Sequence, residues 1–274
     1  MSFDGKVREA LEGHAKAVRR DIVKMLTRAA SGHPGGSLSC TDIIVALYFH
    51  VMRHDPSRPD WPDRDRFLMS KGHCAPAWYS VLAMAGYFPK EWLDSLRTLN
   101  SRLQGHPDML KTPGVEMSSG SLGQGLSIAN GMALAARLDG RAYRVYVLLG
   151  DGEIQEGQIW EAAMTSAHHK IDAVCAIVDN NGLQIDGRVE DIKSLGSLPA
   201  KWKGFGWNVV EIDGHNMTEI LEAFQTAASV KGRPTMIVAH TVKGKGVSFM
   251  ENVVDYHGVA PTEDECARAL AEME

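Results

Sequence analysis

The 274-residue chain is 44% hydrophobic and 23% charged, a balance that supports one sizeable core and a single large domain spanning residues 1–274. Its 29 basic residues against 34 acidic ones, a formal net charge of −5, leave no cationic footprint for a nucleic-acid backbone. Four scattered cysteines without a CxxC pair, and no uncharged apolar run near the ~20 residues of a bilayer span, argue against a disulfide framework, a zinc ribbon and a membrane protein, and favour a soluble cytoplasmic one.

Between residues 7 and 30, Val7, Leu11, Ala15, Val18, Ile22, Met25 and Leu26 recur at helical spacing, which predicts one long amphipathic helix. A Gly/Pro break over residues 32–36 ends it, and Ser39 or Thr41 is placed to cap a second helix over residues 43–52. A loop rich in Pro, Asp and Arg, residues 56–66, leads into a short strand at 67–69 that ends in Lys71-Gly72-His73. After a loop carrying Gly105-His106-Pro107, the run Gly120-Ser121-Leu122-Gly123-Gln124-Gly125 opens a small-residue helix that reaches Ala136. The pattern then becomes regular: strand 143–149, helix 154–169, strand 173–178, strand 208–212, helix 218–229 and strand 235–239. Near-continuous apolar strands alternating with helices predict an α/β fold, a parallel sheet covered by helices on both faces. No internal repeat is present, and residues 251–274 read as a loop followed by a short acidic helix.

Gly150-Asp151-Gly152 directly follows one predicted strand, and Asp179-Asn180-Asn181-Gly182 directly follows the next. Both clusters therefore sit at carboxyl ends of strands in one βαβ unit, the edge where open parallel sheets bind ligands. Asn181 lies 30 positions after Asp151, the span of one crossover. A carboxylate and an amide oxygen are hard donors that suit Mg²⁺, and two protein ligands leave positions for phosphate oxygens, a backbone carbonyl and water. The flanking Gly150 and Gly152 let phosphate approach the backbone, and the following helix can aim its N–H groups at the anion.

This Gly-Asp-Gly to Asn-Asn arrangement resembles the motif of the thiamine-diphosphate enzymes. The resemblance implies Mg²⁺ (with Ca²⁺ or Mn²⁺ as substitutes) held by Asp151, Asn181 and the backbone oxygen of Leu183, and contact of Gly150, Gly152 and Asn181 with thiamine diphosphate. Ser31-Gly32-His33-Pro34-Gly35, Lys71-Gly72-His73, Gly105-His106-Pro107, the run from Gly120 to Gly125 and His257-Gly258 look like the transketolase family in particular, over roughly residues 15–260. The resemblance then implies catalytic roles for His33, His73, His106 and His257 around the reacting carbon and the sugar hydroxyls, work that imidazole suits near neutral pH. It also implies cofactor contacts from His73, Gly120, Ser121, Leu122, Lys243 and His257, and places Glu156, at the cofactor site, in a buried carboxylate network between the two cofactor sites. Gly36 departs from the family, many members of which carry a small hydroxyl residue there.

A zinc site competes for the histidines, but none has the i, i+4 spacing of a zinc helix. His14, His50 and His54, and the adjacent His168 and His169, read as structural or surface residues.

The resemblance extends to the diphosphate-binding domain of full-length transketolases and not to their pyrimidine-binding domain, which supplies the ylid-forming glutamate. A C-terminal partner subunit, an α₂β₂ assembly and sugar-phosphate substrates are the corresponding expectations, and the isolated chain is expected to be inactive or nearly so. Two other readings remain at this point: a subunit of a deoxyxylulose-phosphate-synthase-like or 2-oxoacid-processing thiamine enzyme, and a non-catalytic assembly subunit.

Overall fold

In the computed structural model, which describes residues 5–274, seven strands follow in chain order: β1 (Arg66–Met69), β2 (Val145–Gly150), β3 (Val174–Asn180), β4 (Leu183–Gln184), β5 (Gly187–Arg188), β6 (Asn208–Asp213) and β7 (Thr235–His240). β4 and β5 form a small antiparallel hairpin, while the other five make a parallel sheet in the order β1-β2-β3-β7-β6. Alternate residues of each strand go to opposite faces. Phe67, Met69, Tyr146, Leu148, Cys175, Ile177 and Ile237 enter one apolar cluster, and Leu68, Val147, Leu149, Ala176, Val178, Met236 and Val238 enter the other. Both faces are thus buried, which is why the strands read as unbroken apolar runs.

The first face is covered by α1 (Gly5–Ala29), α2 (Pro34–Ser39), α3 (Thr41–Ala46), α4 (Ala75–Ala85) and, later in the chain, α9 (Met217–Ser229) and α10 (Glu263–Glu272). The second carries α5 (Gly125–Leu138), α6 (Gly157–His168) and α8 (Leu198–Gly204), with the short α7 (Val189–Lys193) beside the hairpin. α1 buries Leu11, Ala15, Val18, Ile22, Met25 and Leu26, the predicted stripe. Among the described residues no helix is long and apolar enough to cross a membrane.

Three segments differ from the expectation. The break at 32–36 is short, because Pro34 occupies the first turn of α2, where its fixed φ favours a helix and its missing N–H costs nothing. In place of one helix at 43–52 stands α3 followed by a π turn, Leu47–Val51. α4 has no counterpart among the predicted elements: residues 75–83 are buried all round, so no polar stripe marks a helical period.

One polar tie joins α1, α3 and the loop after β7. The Arg19 guanidinium donates to both carboxylate oxygens of Asp42, at 3.0 and 2.5 Å. His215 Nδ1 lies 2.8 Å from Asp42, and its Nε2 accepts the Val242 N–H at 2.8 Å. A backbone N–H can only donate, so the His215 proton resides on Nδ1. Burial pushes the Asp42 carboxyl up, but Arg19 and His215 outweigh it and hold the group below its usual range. Removing one partner of a buried pair leaves an uncompensated charge, so Asp42→Ala should lower the unfolding free energy by about 3–5 kcal/mol in urea titrations. A loss below about 1 kcal/mol would show that water replaces the carboxylate at no penalty.

Candidate active site

The carboxyl ends of β1, β2, β3 and β7 open into a cavity of about 370 Å³. His33, His73, His106, His257, Gly120, Leu122, Gly150, Asp151, Gly152, Glu156, Asn181, Leu183 and Lys243 all line it, so residues far apart in sequence meet in one place. Of the residues singled out in the sequence, Ser121 alone does not line it; its side chain is exposed.

The four histidines form one group. Ring centroids are 5.1 Å apart for His33 and His73, 5.3 Å for His73 and His257, 5.5 Å for His33 and His257, and 6.4 Å for His33 and His106. Among the described residues no three His, Cys, Asp or Glu side chains are disposed to hold one metal ion. Burial, helped by neighbouring His73, lowers His33 to about 4 and also lowers His106. Burial and the Lys243 ammonium lower His257 to about 3. These three rings are therefore neutral at pH 7, each able to donate from one nitrogen and accept at the other. Lys243 Nζ lies 2.8 Å from His257 Nδ1, and an ammonium can only donate, which leaves the ring proton on Nε2.

His106 lies against Gly120, where an added Cβ would come 3.0 Å from the ring; Gly120 also has φ +136, so the family-like glycine is required here twice over. Gly36 sits inside α2, and a Cβ there would come 2.7 Å from Cys74 Sγ. The missing hydroxyl at position 36 and the thiol at position 74 are thus one coupled choice.

Asp151 is buried, its oxygens accepting the N–H groups of Gly152 at 2.8 Å and Gly182 at 2.5 Å. The Asn181 side-chain oxygen accepts the Leu183 N–H at 3.1 Å, and its NH₂ donates to Asp179 at 3.2 Å. The Leu183 carbonyl accepts from Lys243 Nζ at 2.9 Å. One carboxylate, one amide oxygen and one backbone carbonyl make an all-oxygen set of the kind that suits Mg²⁺ with phosphate oxygens completing the shell. Burial lowers Lys243 to about 8, so its charge is retained but weakly held.

Two buried carboxylates at the cavity hold it together in a way that the sequence does not show. Asp179 is fully buried and accepts from Lys71, Thr241, Asn181 and Ser39 at once. Glu153 is buried and accepts from Ser70 and from the N–H groups of Gly123 and Gly150, both at 3.0 Å. Burial raises the Glu153 carboxyl, against the pull of those donors. Glu156 is exposed on the rim of the cavity, and Glu153 is the buried acid of the turn. The available signal is the donor-rich run after Gly150, where a carboxylate three residues on can reach back to a strand-end N–H.

Asp151 is raised to about 6 by burial and by the charge of Asp179. Its folded pKa exceeds the unfolded one near 3.8, so the metal-free fold loses stability as pH rises through about 4 to 6. At pH 7 that loss approaches about 3 kcal/mol. Asp151→Asn removes the charge, so the difference in melting temperature between variant and wild type, both metal-free, should move in the variant's favour from pH 4.5 to 8. A gap independent of pH would show that Asp151 carries no such strain.

A family profile described as "Transketolase, thiamine diphosphate binding domain" matches residues 11–273. The chain is 46% identical over 264 residues to the 6-deoxy-6-sulfo-D-fructose transketolase subunit SqwG of Clostridium sp. (strain MSTE9), covering 96% of each chain. It is 43% identical to an apulose-4-phosphate transketolase subunit of Phocaeicola vulgatus, covering 97% of this chain and 94% of that one. The transketolase of Homo sapiens is 39% identical over 91% of this chain, which spans 40% of its length. The transketolase of Leishmania mexicana superposes with a TM-score of 0.91 at 33% identity, over 96% of this chain and 41% of that one. The chain belongs to the transketolase family, and what it carries is that family's thiamine-diphosphate-binding domain.

Proposed function

We propose that the chain is the diphosphate-binding subunit of a two-chain transketolase, a single domain that moves a two-carbon ketol unit from a ketose phosphate or similar anionic ketose to an aldose acceptor. The observation that carries this reading is the convergence of an oxygen donor set and four histidines, three of them held neutral, in one cavity. Thiamine diphosphate, when bound, supplies the carbanion-stabilising chemistry. Asp151, Asn181 and the Leu183 carbonyl would hold Mg²⁺, with Gly120, Leu122, Gly150, Gly152 and Lys243 around the diphosphate and ring.

The histidines account for the proton traffic. His257, its Nδ1 engaged by Lys243, offers an Nε2–H to a sugar oxygen; His33, whose Nδ1 is buried without a partner, has only Nε2 to work with. A neutral imidazole accepts a hydroxyl proton as a carbonyl forms and returns it in the next half of the cycle. His73 and His106 complete the set around the substrate hydroxyls.

The relatives that match this chain end to end are named as subunits, which supports a partner that brings the pyrimidine-binding domain and the glutamate that activates the cofactor, in an α₂β₂-like assembly. Their named substrates, a sulfo-ketose and a ketose phosphate, support an anionic sugar.

Calorimetry tests the binding half: thiamine diphosphate should bind with Mg²⁺ and fail to bind in chelator, and Asp151→Ala or Asn181→Ala should weaken it at least about tenfold. Absence of metal-dependent binding in the wild type would leave only a non-catalytic scaffold. Mixed with its partner chain, the protein should transfer ketol units from a ketose and not from pyruvate. Full turnover by the chain alone would end the two-chain reading, and a preference for pyruvate would move it to another thiamine-enzyme class.

A further inference from the structure

Cys40 and Cys74 are fully buried and unbridged, and their thiols hydrogen-bond to each other although they belong to different elements. Cys40 closes α2, and Cys74 closes the Lys71-Gly72-His73 turn and precedes α4. Gly36 is what lets them meet. Cys40 Sγ lies 3.1 Å from the Gly36 carbonyl, and a Cβ on Gly36 would come 2.7 Å from Cys74 Sγ, so the side chain missing at position 36 is the space that the second sulfur fills. The ketol-transfer reading gives neither thiol a task.

The two sulfurs are unequal. Burial pushes the Cys40 thiol up. Burial pushes on Cys74 as well, but the Cys40 thiol, His73 and the Lys71 ammonium outweigh it and hold Cys74 well below the usual thiol range. A thiolate is the nucleophilic form of cysteine, which makes Cys74 the reactive member and Cys40 the one placed to resolve it. Cys175, by contrast, is raised by burial to about 12 and is inert on the same grounds. Gly36, Lys71 and His73, which enclose the pair, all line the cavity, so the sulfurs lie directly behind its wall, where a reagent the size of water is the one to reach them.

We propose that Cys40 and Cys74 are a redox pair that a small peroxide converts to a disulfide, and that this bond disables the cavity floor. The Cys74 thiolate attacks one oxygen of hydrogen peroxide; an S–O bond forms as the O–O bond breaks, and the departing hydroxide takes up a proton and leaves as water. The Cys40 sulfur, giving up its proton, then displaces the hydroxyl from the Cys74 sulfenic acid, and a second water leaves. Two thiols and one peroxide thus become one disulfide and two waters, each sulfur losing one electron. The sulfurs must close from hydrogen-bonding range to about 2.05 Å. Cys40 directly follows Ser39, and Cys74 lies three residues after Lys71; Ser39 and Lys71 are two of the donors on Asp179, which in turn accepts from the Asn181 amide. In a close-packed interior such a shift is passed on to neighbours, here to His73, Asp179 and Asn181.

The test treats the full chain with hydrogen peroxide, blocks the remaining thiols with N-ethylmaleimide in denaturant and maps the digest by mass spectrometry. A Cys40–Cys74 cross-link that dithiothreitol removes is expected, with Cys175 still alkylated. In Cys40→Ser the reaction should stop one step earlier, as a dimedone adduct on Cys74. If both cysteines remain alkylated at peroxide levels that oxidise the half-buried Cys266, or if either links to another cysteine, the proposal is overturned. The His33 and His73 ring resonances should shift on oxidation, and calorimetry with Mg²⁺ should show thiamine diphosphate bound at least about tenfold more weakly until dithiothreitol is added. Cys74→Ala should bind equally well with and without peroxide. Unchanged resonances and affinity in the cross-linked chain would sink the switch. A reduced wild type that binds no thiamine diphosphate counts against the cofactor reading alone, because the cross-link and the resonances still decide the redox pair.

Discussion

The carboxylate of Asp179 is the point on which the site is hung. It lies at the end of the central strand β3, fully buried, and accepts from Ser39 of α2, from Lys71 after β1, from Asn181 in its own loop and from Thr241 after β7. Four separate stretches of chain are thereby held to one atom pair. Lys71 in turn donates to the Gly36 carbonyl at 2.9 Å, which fixes the helix that follows His33. A buried ion pair contributes little to stability on its own, because desolvation cancels most of the attraction. Its value here lies in position: an apolar substitute of equal volume would remove the acceptor of the Asn181 NH₂ and leave that amide freer to turn.

The second tie works at the other side of the cavity. Glu153 gathers Ser70, Gly123 and Gly150, so that the loop bearing Gly120 and the strand end bearing Asp151 share one acceptor. The hydroxyl of Ser70 passes the connection on to the Gly125 N–H at 3.1 Å, at the start of α5. Backbone N–H groups that would otherwise point unpaired into a dry interior are satisfied by a single carboxylate. The turn after β2 is therefore rigid before any ligand is present.

Much of this is legible in the sequence, for a physical reason. Strands apolar on both faces and loops carrying Gly-Asp-Gly and Asn-Asn-Gly at consecutive strand ends follow from local rules, so the parallel sheet, its edge and the residues Asp151 and Asn181 can be placed together, while His33, His73, His106 and His257 join them through the family resemblance. α4 is hidden because a helix buried all round has no periodicity to show. Asp179 and Glu153 are hidden for another reason: their partners lie up to 140 positions away, and no spacing rule links a strand-end acid to a hydroxyl in a distant helix. Glu153 gives no local sign of its burial, which is a property of the assembled fold.

These ties set the charge of the cavity floor. Lys71 answers Asp179, but Asp151 is buried nearby with only two backbone N–H groups on its oxygens, and burial together with repulsion from Asp179 raises it to about 6. The next cation is Lys243, which burial has weakened to about 8 and which is already engaged by the Leu183 carbonyl and His257. One negative charge on the floor is therefore left without a matched partner, in a place ringed by oxygen donors and open to the cavity. Strain of this kind persists in a fold only where the surrounding structure over-determines it, as the Asp179 and Glu153 ties do here. A divalent cation would relieve it and, having charge to spare, would still attract a diphosphate. The same rigidity that makes the metal-free floor unfavourable is what would make it selective, because neither Asp151 nor Asn181 can move aside to suit a ligand of different charge.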